Sequence, residues 1–142
     1  MSKSDTFEND WLKLVFNATP IANIADNAVT APLTNLFVAA HTADPGEAGT
    51  QATNEATYTS YARVSVARTS GGWTVTTNSV SPVATISWPA CTAGTNTLTH
   101  FSVGVATSGA SKILYSGTIT PNISVSTGVT PQLTTASTIT ED

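Results

Sequence analysis

The chain has 142 residues, nine acidic and five basic side chains for a net charge of -4, only 10% charged residues, and one cysteine. That length suits a single domain able to bury a core without metals or disulfides, and Cys91 alone cannot build a disulfide framework. The five cations, Lys3, Lys13, Arg63, Arg68 and Lys112, are scattered, which excludes the clustered basic surfaces that bind nucleic acid by counterion release or attach to anionic membranes.

The N-terminal stretch MSKSDTFENDWLKLVFNATP places Asp5, Glu8 and Asp10 ahead of a short apolar part, Trp11 to Phe16, that Lys13 interrupts. It is too short for the apolar region of a signal peptide. No apolar run approaches the roughly 20 residues needed to cross a bilayer. The expectation is a protein made and folded in a reducing cytoplasm. Ser4 or Asp5 can cap a helix here, with Glu8 near the third helical position. Phe7, Trp11, Leu14 and Val15 follow the i, i+4, i+7, i+8 pattern of an apolar stripe, and Leu12 and Phe16 make a second greasy face. So short a helix is marginal alone and must dock. Pro20 ends it, and residues 21–32 read as an irregular arm.

The remainder alternates with period two, the mark of strands with one buried and one wetted face. Leu36 to Ala40 is a first apolar run. Ala62, Val64 and Val66 alternate with Arg63, Ser65 and Ala67. Trp73 and Val75 alternate with Thr74 and Thr76, and Ala84, Ile86 and Trp88 with Thr85 and Ser87. Phe101, Val103 and Val105 alternate with His100, Ser102 and Gly104. Ile113, Tyr115 and Ile119 share one parity, Ile123 and Val125 repeat it, and a last run spans residues 133–139. Breakers punctuate these runs at Gly71-Gly72, Pro82, Pro89, Gly94, Gly109, Pro121-Asn122, Gly128 and Pro131. About eight short strands with no helices between them predict an all-β fold, an antiparallel β-sandwich of jelly-roll type. The expected organisation is a helical or extended docking segment over residues 1–32 and a jelly-roll domain over residues 33–142. Between Thr69 and Thr140 the only charged side chain is Lys112. A neutral, Thr-rich surface of this kind suits a protein packed into an assembly.

The loop after the first strand, HTADPGEAGTQATNEATYTSYAR, gathers the residues with chemical potential. His41, Asp44 and Glu47 lie at i, i+3 and i+6, but zinc wants three or four ligands, usually with further His or Cys. Asp44-Pro45-Gly46 reads as a turn: Asp caps it, Pro fixes φ and Gly supplies the unusual φ. Calcium through Asp44, Glu47 and carbonyls is the less remote metal reading. No nucleophile-elbow glycine pattern surrounds any serine. Asp44, Glu47 and Glu55 share one loop, so two carboxylates facing across a sugar bond are not expected. Trp73 and Trp88 have core parity; Tyr58 tends to the core side and Tyr61 to the outside. No glycine pattern for phosphate or dinucleotide precedes a helix. The residues ask for no cofactor and no catalytic group.

Two blocks carry a resemblance. LFVAAHTADPGEAGTQATNEATYTSYARVSVAR, residues 36–68, is similar to a motif of small tailed-phage proteins, and HFSVGVATSGASKILYSGTIT, residues 100–120, fits the same pattern. Those proteins are labelled capsid cement (decoration) or tail-fibre proteins. The resemblance implies a jelly roll that clamps major capsid protein from outside the shell, as a dimer or trimer, with no enzymatic activity. The alternative it carries is a glycan-binding, receptor-binding domain of the tail. The motif positions His41, Asp44, Pro45, Gly46, Glu47, Gly49, Glu55, Tyr58, Tyr61 and Arg63 are expected to be architectural. The loop is expected to fold over the sheet, with Arg63 pairing Glu47 or Glu55. Phe7, Trp11, Leu12, Val15 and Phe16 are the expected contacts to capsid protein or a sister copy.

Overall fold

A computed structural model describes residues 4–21 and 32–141. Residues 22–31, most of the expected irregular arm, lie outside the described residues. The described elements are one helix, α1 (Asp5–Asn17), and nine strands: β1 (Asn35–His41), β2 (Val64–Ala67), β3 (Trp73–Thr76), β4 (Ser79–Pro82), β5 (Ile86–Ser87), β6 (Asn96–Gly104), β7 (Ile113–Val125), β8 (Gln132–Leu133) and β9 (Ile139–Thr140). The pairs β1–β6, β3–β4, β4–β9, β5–β8 and β6–β7 are all antiparallel. The fold is therefore all-β and antiparallel, with a single short N-terminal helix, as the alternation predicts. The chain divides into two compact units, one taking the chain up to residue 35 with residues 67–85 and 134 onward, the other residues 36–66 and 86–133.

In the first unit α1 packs on the sheet β3-β4-β9. Ser4 is the N-cap, its Oγ accepting the Phe7 N–H at 3.4 Å, and Ala18 closes the C-terminus in the left-handed region at φ 54°. The buried stripe is Glu8, Leu12 and Phe16, spaced i, i+4, i+8. This corrects the expected stripe: Phe7, Leu14 and Val15 are half-buried and Trp11 is exposed. Tertiary contact decides between two greasy faces, and Phe16 meets Trp73 edge-on with centroids 4.8 Å apart. Arg68 completes the dock. Its Nε donates to the Val15 carbonyl at 2.6 Å, Nη2 to Leu14 at 2.5 Å and Nη1 to Leu33 at 3.3 Å. Those of Leu14 and Val15 are carbonyls that the helix end leaves without intrahelical partners, and a cation there suits the helix dipole.

In the second unit the sheet order is β2-β1-β6-β7. The register sets Phe37 opposite Gly104, Val38 opposite Val103, Ala39 opposite Ser102, and His41 opposite His100. One face therefore carries Val38 and Val103; the other carries Ala39, His41, Ser102 and Gly104. All of these are buried, while Phe37, His100 and Phe101 on the same two faces are half-buried, so neither face is open to solvent at the centre of this ladder. On the apolar side Trp88, fully buried, donates its indole N–H to the Val38 carbonyl at 3.1 Å. The edge strand β7 is continuous through Pro121, where a break is expected. Between the pairs Leu98–Ile123 and His100–Thr118 its residues 119–122 stand opposite Thr99 alone. A bulge with a proline on an edge strand blocks edge-to-edge pairing.

Candidate functional site

The polar face of the β1–β6 ladder is covered by the loop of residues 42–63 that joins β1 to β2. Its first half is a turn. Asp44 Oδ1 accepts the Gly46 N–H at 2.8 Å, Gly46 sits at φ 71°, and the Gly49 N–H donates to the Gly46 carbonyl at 3.1 Å. Pro45 is buried, while Asp44 and Glu47 are exposed. Residues 54–56 then run back along the end of β1: Thr42 N–H donates to the Asn54 carbonyl at 2.8 Å, Ala56 N–H to the Ala40 carbonyl at 2.9 Å, and His41 bridges to Glu55.

Arg63 is the hub. Its side chain is 1% exposed. It grips Glu55 with two parallel bonds, Nε to Oε1 at 2.7 Å and Nη2 to Oε2 at 2.8 Å. It also donates to the carbonyls of Ala106 at 3.0 Å and Gly109 at 2.7 Å, to Ser111 Oγ at 2.9 Å and to Gln51 Oε1 at 3.4 Å. The planar fork suits such a cage, which an ammonium could not fill. Parity assigned Arg63 and Tyr61 to an outer face, but β2 begins only at Val64, so strand alternation does not govern them. The Tyr61 hydroxyl accepts the Ala40 N–H at 2.9 Å and donates to Glu55 Oε1 at 3.0 Å. Burial, the largest influence, pushes its ionisation far above the ordinary tyrosine range. Tyr58 is buried, donates to the Pro89 carbonyl at 2.9 Å and packs edge-on against Tyr61; burial pushes its hydroxyl up to about 12.

His41 lies beneath the loop with no exposed surface. The Thr53 carbonyl, 2.9 Å from Nδ1, can only accept, so Nδ1 carries the proton and Nε2 accepts from Ser102 Oγ at 2.8 Å. Gln51 Nε2 donates to the Phe37 carbonyl at 2.9 Å and to Ser102 Oγ at 3.3 Å, while its Oε1 accepts from Ser111 Oγ at 2.8 Å. A serine against a histidine suggests a nucleophile and its base. Here the third position is a carbonyl, Glu55 is committed to Arg63, and neither Ser102 nor His41 has exposed surface for a substrate. His41, Asp44 and Glu47 do not converge, and among the described residues no group of three or more His, Cys, Asp or Glu could hold a metal ion. The arrangement binds its own loops.

Gln51, Ser102 and Ser111 belong to this cluster, yet nothing in their local sequence marks them. The one available hint is Gly104. A Cβ there would strike the Gln51 amide and come within 2.6 Å of the Lys112 carbonyl. Gly104→Ala is expected to cost about 1–3 kcal/mol through overpacking, read as a lowered urea midpoint. An unchanged midpoint would show that Gln51 does not sit on this strand.

The expected contact residues separate in the structure. Leu12 and Phe16 have no exposed surface and close the first unit's own core, because the Trp73 hairpin takes that face of α1. They offer nothing to a partner. Trp11 is 39% exposed, and Phe7 and Val15 are half-buried.

No curated protein matches the sequence. A family model described as podophage GP4 fiber I protein gp80 matches residues 2–140, nearly the whole chain. The chain thus belongs to the podophage GP4 fiber I protein gp80 family, a family of phage structural proteins.

Proposed function

We propose that this virion protein is a fibre subunit that attaches to a neighbouring virion protein through the outer side of α1, by burial of apolar surface and without catalysis. Trp11 carries the reading. It is a large aromatic side chain 39% exposed on a helix whose opposite face is locked into the core. Phe7 and Val15, four residues to either side, flank it on the helix surface. Leu33 and Val83 of the same unit are also exposed, at 44% and 46%. Buried aromatic anchors dominate interface energies. The polar cluster under the 42–63 loop, by contrast, is turned inward and self-satisfied, which supports a structural role for it.

The family's description favours the fibre location. A second reading, a cement on the capsid exterior bridging major capsid subunits, is favoured by the resemblance of residues 36–68 to decoration proteins and by the weakly charged surface. Many copies on one particle would raise the effective concentration, so modest single contacts suffice in either place. Particles assembled with Trp11→Ser should lose the protein. Truncating a hot-spot tryptophan costs roughly 2 kcal/mol or more, about a 30-fold weaker Kd at ~1.4 kcal/mol per decade. Full occupancy by a stably folded Trp11→Ser protein would refute the docking face. Gold-labelled antibody on intact particles separates the locations, tail against shell. Deleting the first twenty residues is a poor test, since it also removes Leu12 and Phe16 from the core.

A further inference from the structure

We infer that the 42–63 loop is a latch that opens in acid, with His41 as the group whose protonation releases it. The directions of the hydrogen bonds around His41 are fixed from both ends. Arg63 and Ser111 both donate to Gln51 Oε1, at 3.4 and 2.8 Å, so the Gln51 amide cannot flip. Its Nε2 therefore donates to Ser102 Oγ, which leaves the Ser102 proton to point at His41 Nε2. At the other end the Thr53 carbonyl holds the proton on Nδ1. The imidazole is thus neutral, in one tautomer, with both nitrogens occupied. A second proton has to enter at Nε2. Ser102 would then have to turn its own O–H away, and among the described residues the only other neighbour bonded to its oxygen, Gln51 Nε2, is a donor. A buried hydroxyl proton would be left without an acceptor, and the cation would have to bear the cost of burial.

The charged groups around the ring are few. Glu55 from the loop favours protonation; Arg63, just before β2, and His100, opposite on β6, oppose it. Burial outweighs them all and holds His41 below its usual value of 6.5. The sign follows. An opened loop exposes a histidine that titrates near 6.5, while the closed loop keeps it neutral. Closure is fully favoured above that pH, and is weakened progressively as pH falls below it, toward the lowered value of the closed form. Opening would free residues 42–56, whose backbone bonds run to β1 and to Ser111, and uncover Ser102 and Gly104 on the sheet, while residues 57–59 stay tied to Ala93 and Asn96.

Hydrogen exchange of the intact protein between pH 7.5 and 5 tests this. Protection factors, corrected for intrinsic exchange, should fall up to tenfold per pH unit below 6.5 at the amides of Thr42, Gln51 and Ala56, the limit for one linked proton, while β3–β4 amides hold. His41→Gln, which cannot take the proton, should lower loop protection but make it flat with pH. His100→Gln should keep the wild-type fall. Flat wild-type loop protection, or an equally steep fall in His41→Gln, would overturn the assignment.

Discussion

Arg63→Met is expected to destabilise the protein by about 3–5 kcal/mol, the usual consequence of removing one partner from a buried pair. The size follows from what stays behind. Glu55 keeps its charge and loses both parallel donors at 2.7 and 2.8 Å. The carbonyls of Ala106 and Gly109 lose theirs. Gln51 loses one of the two donors that fix its amide, and with it the order of the Ser102–His41 chain. Arg63→Lys should fall between wild type and Arg63→Met, because one ammonium keeps the charge but cannot reach the same acceptors. Replacing Glu55 and Arg63 together by apolar residues should recover part of the loss, since no charge is then stranded. Urea unfolding reads all three. A cost for Arg63→Met below about 1 kcal/mol would mean that the guanidinium is not buried in this cage.

The hub also explains what could be read before the structure and what could not. The resemblance of residues 36–68 leads to the expectation that the loop folds over the sheet and that Arg63 pairs with Glu47 or Glu55; the structure selects Glu55. The partners across the sheet could not be read. Ser102 and Gln51 are 51 residues apart, and Ser111 is 60 from Gln51. Only the pairing of β1 with β6 brings them together. The same long-range layer covers Ser102 and Gly104, which alternation leaves to solvent, while Thr97 at the other end of β6 stays exposed. β4 escaped because Pro82 reads as a breaker, yet it ends that strand beyond the reach of β9, which pairs only Ser79 and Val80. The run expected over residues 133–139 separates into two strands in different sheets, β8 against β5 and β9 against β4. Two-residue strands carry too little pattern to be divided by periodicity.

The helix shows the same limit from the other side, and it yields the second large effect. Its start at Ser4 or Asp5 and its need to dock were legible; its end at Ala18, short of Pro20, was not, nor was the choice between two apolar faces, because Trp73 decides it from 57 residues away. Phe16→Ala is expected to cost about 3–5 kcal/mol, as large-to-small changes at fully buried aromatic sites do. Trp73→Ala should cost a similar amount. Their costs should not add. The edge-on ring pair contributes about 0.5–1.5 kcal/mol beyond its buried area, so the double variant should be less destabilised than the sum by at least that margin. A 13-residue helix freed from this contact is marginal in water, and the Arg68 bonds to the Leu14 and Val15 carbonyls would lose their geometry with it. Helical circular dichroism should therefore decline in Phe16→Ala before the strands unfold. Additivity within about 0.3 kcal/mol, with the helical signal intact, would mean that Phe16 does not pack on Trp73. The face of α1 that carries Trp11 would then have no fixed direction, and a rigid docking surface could not be built on it.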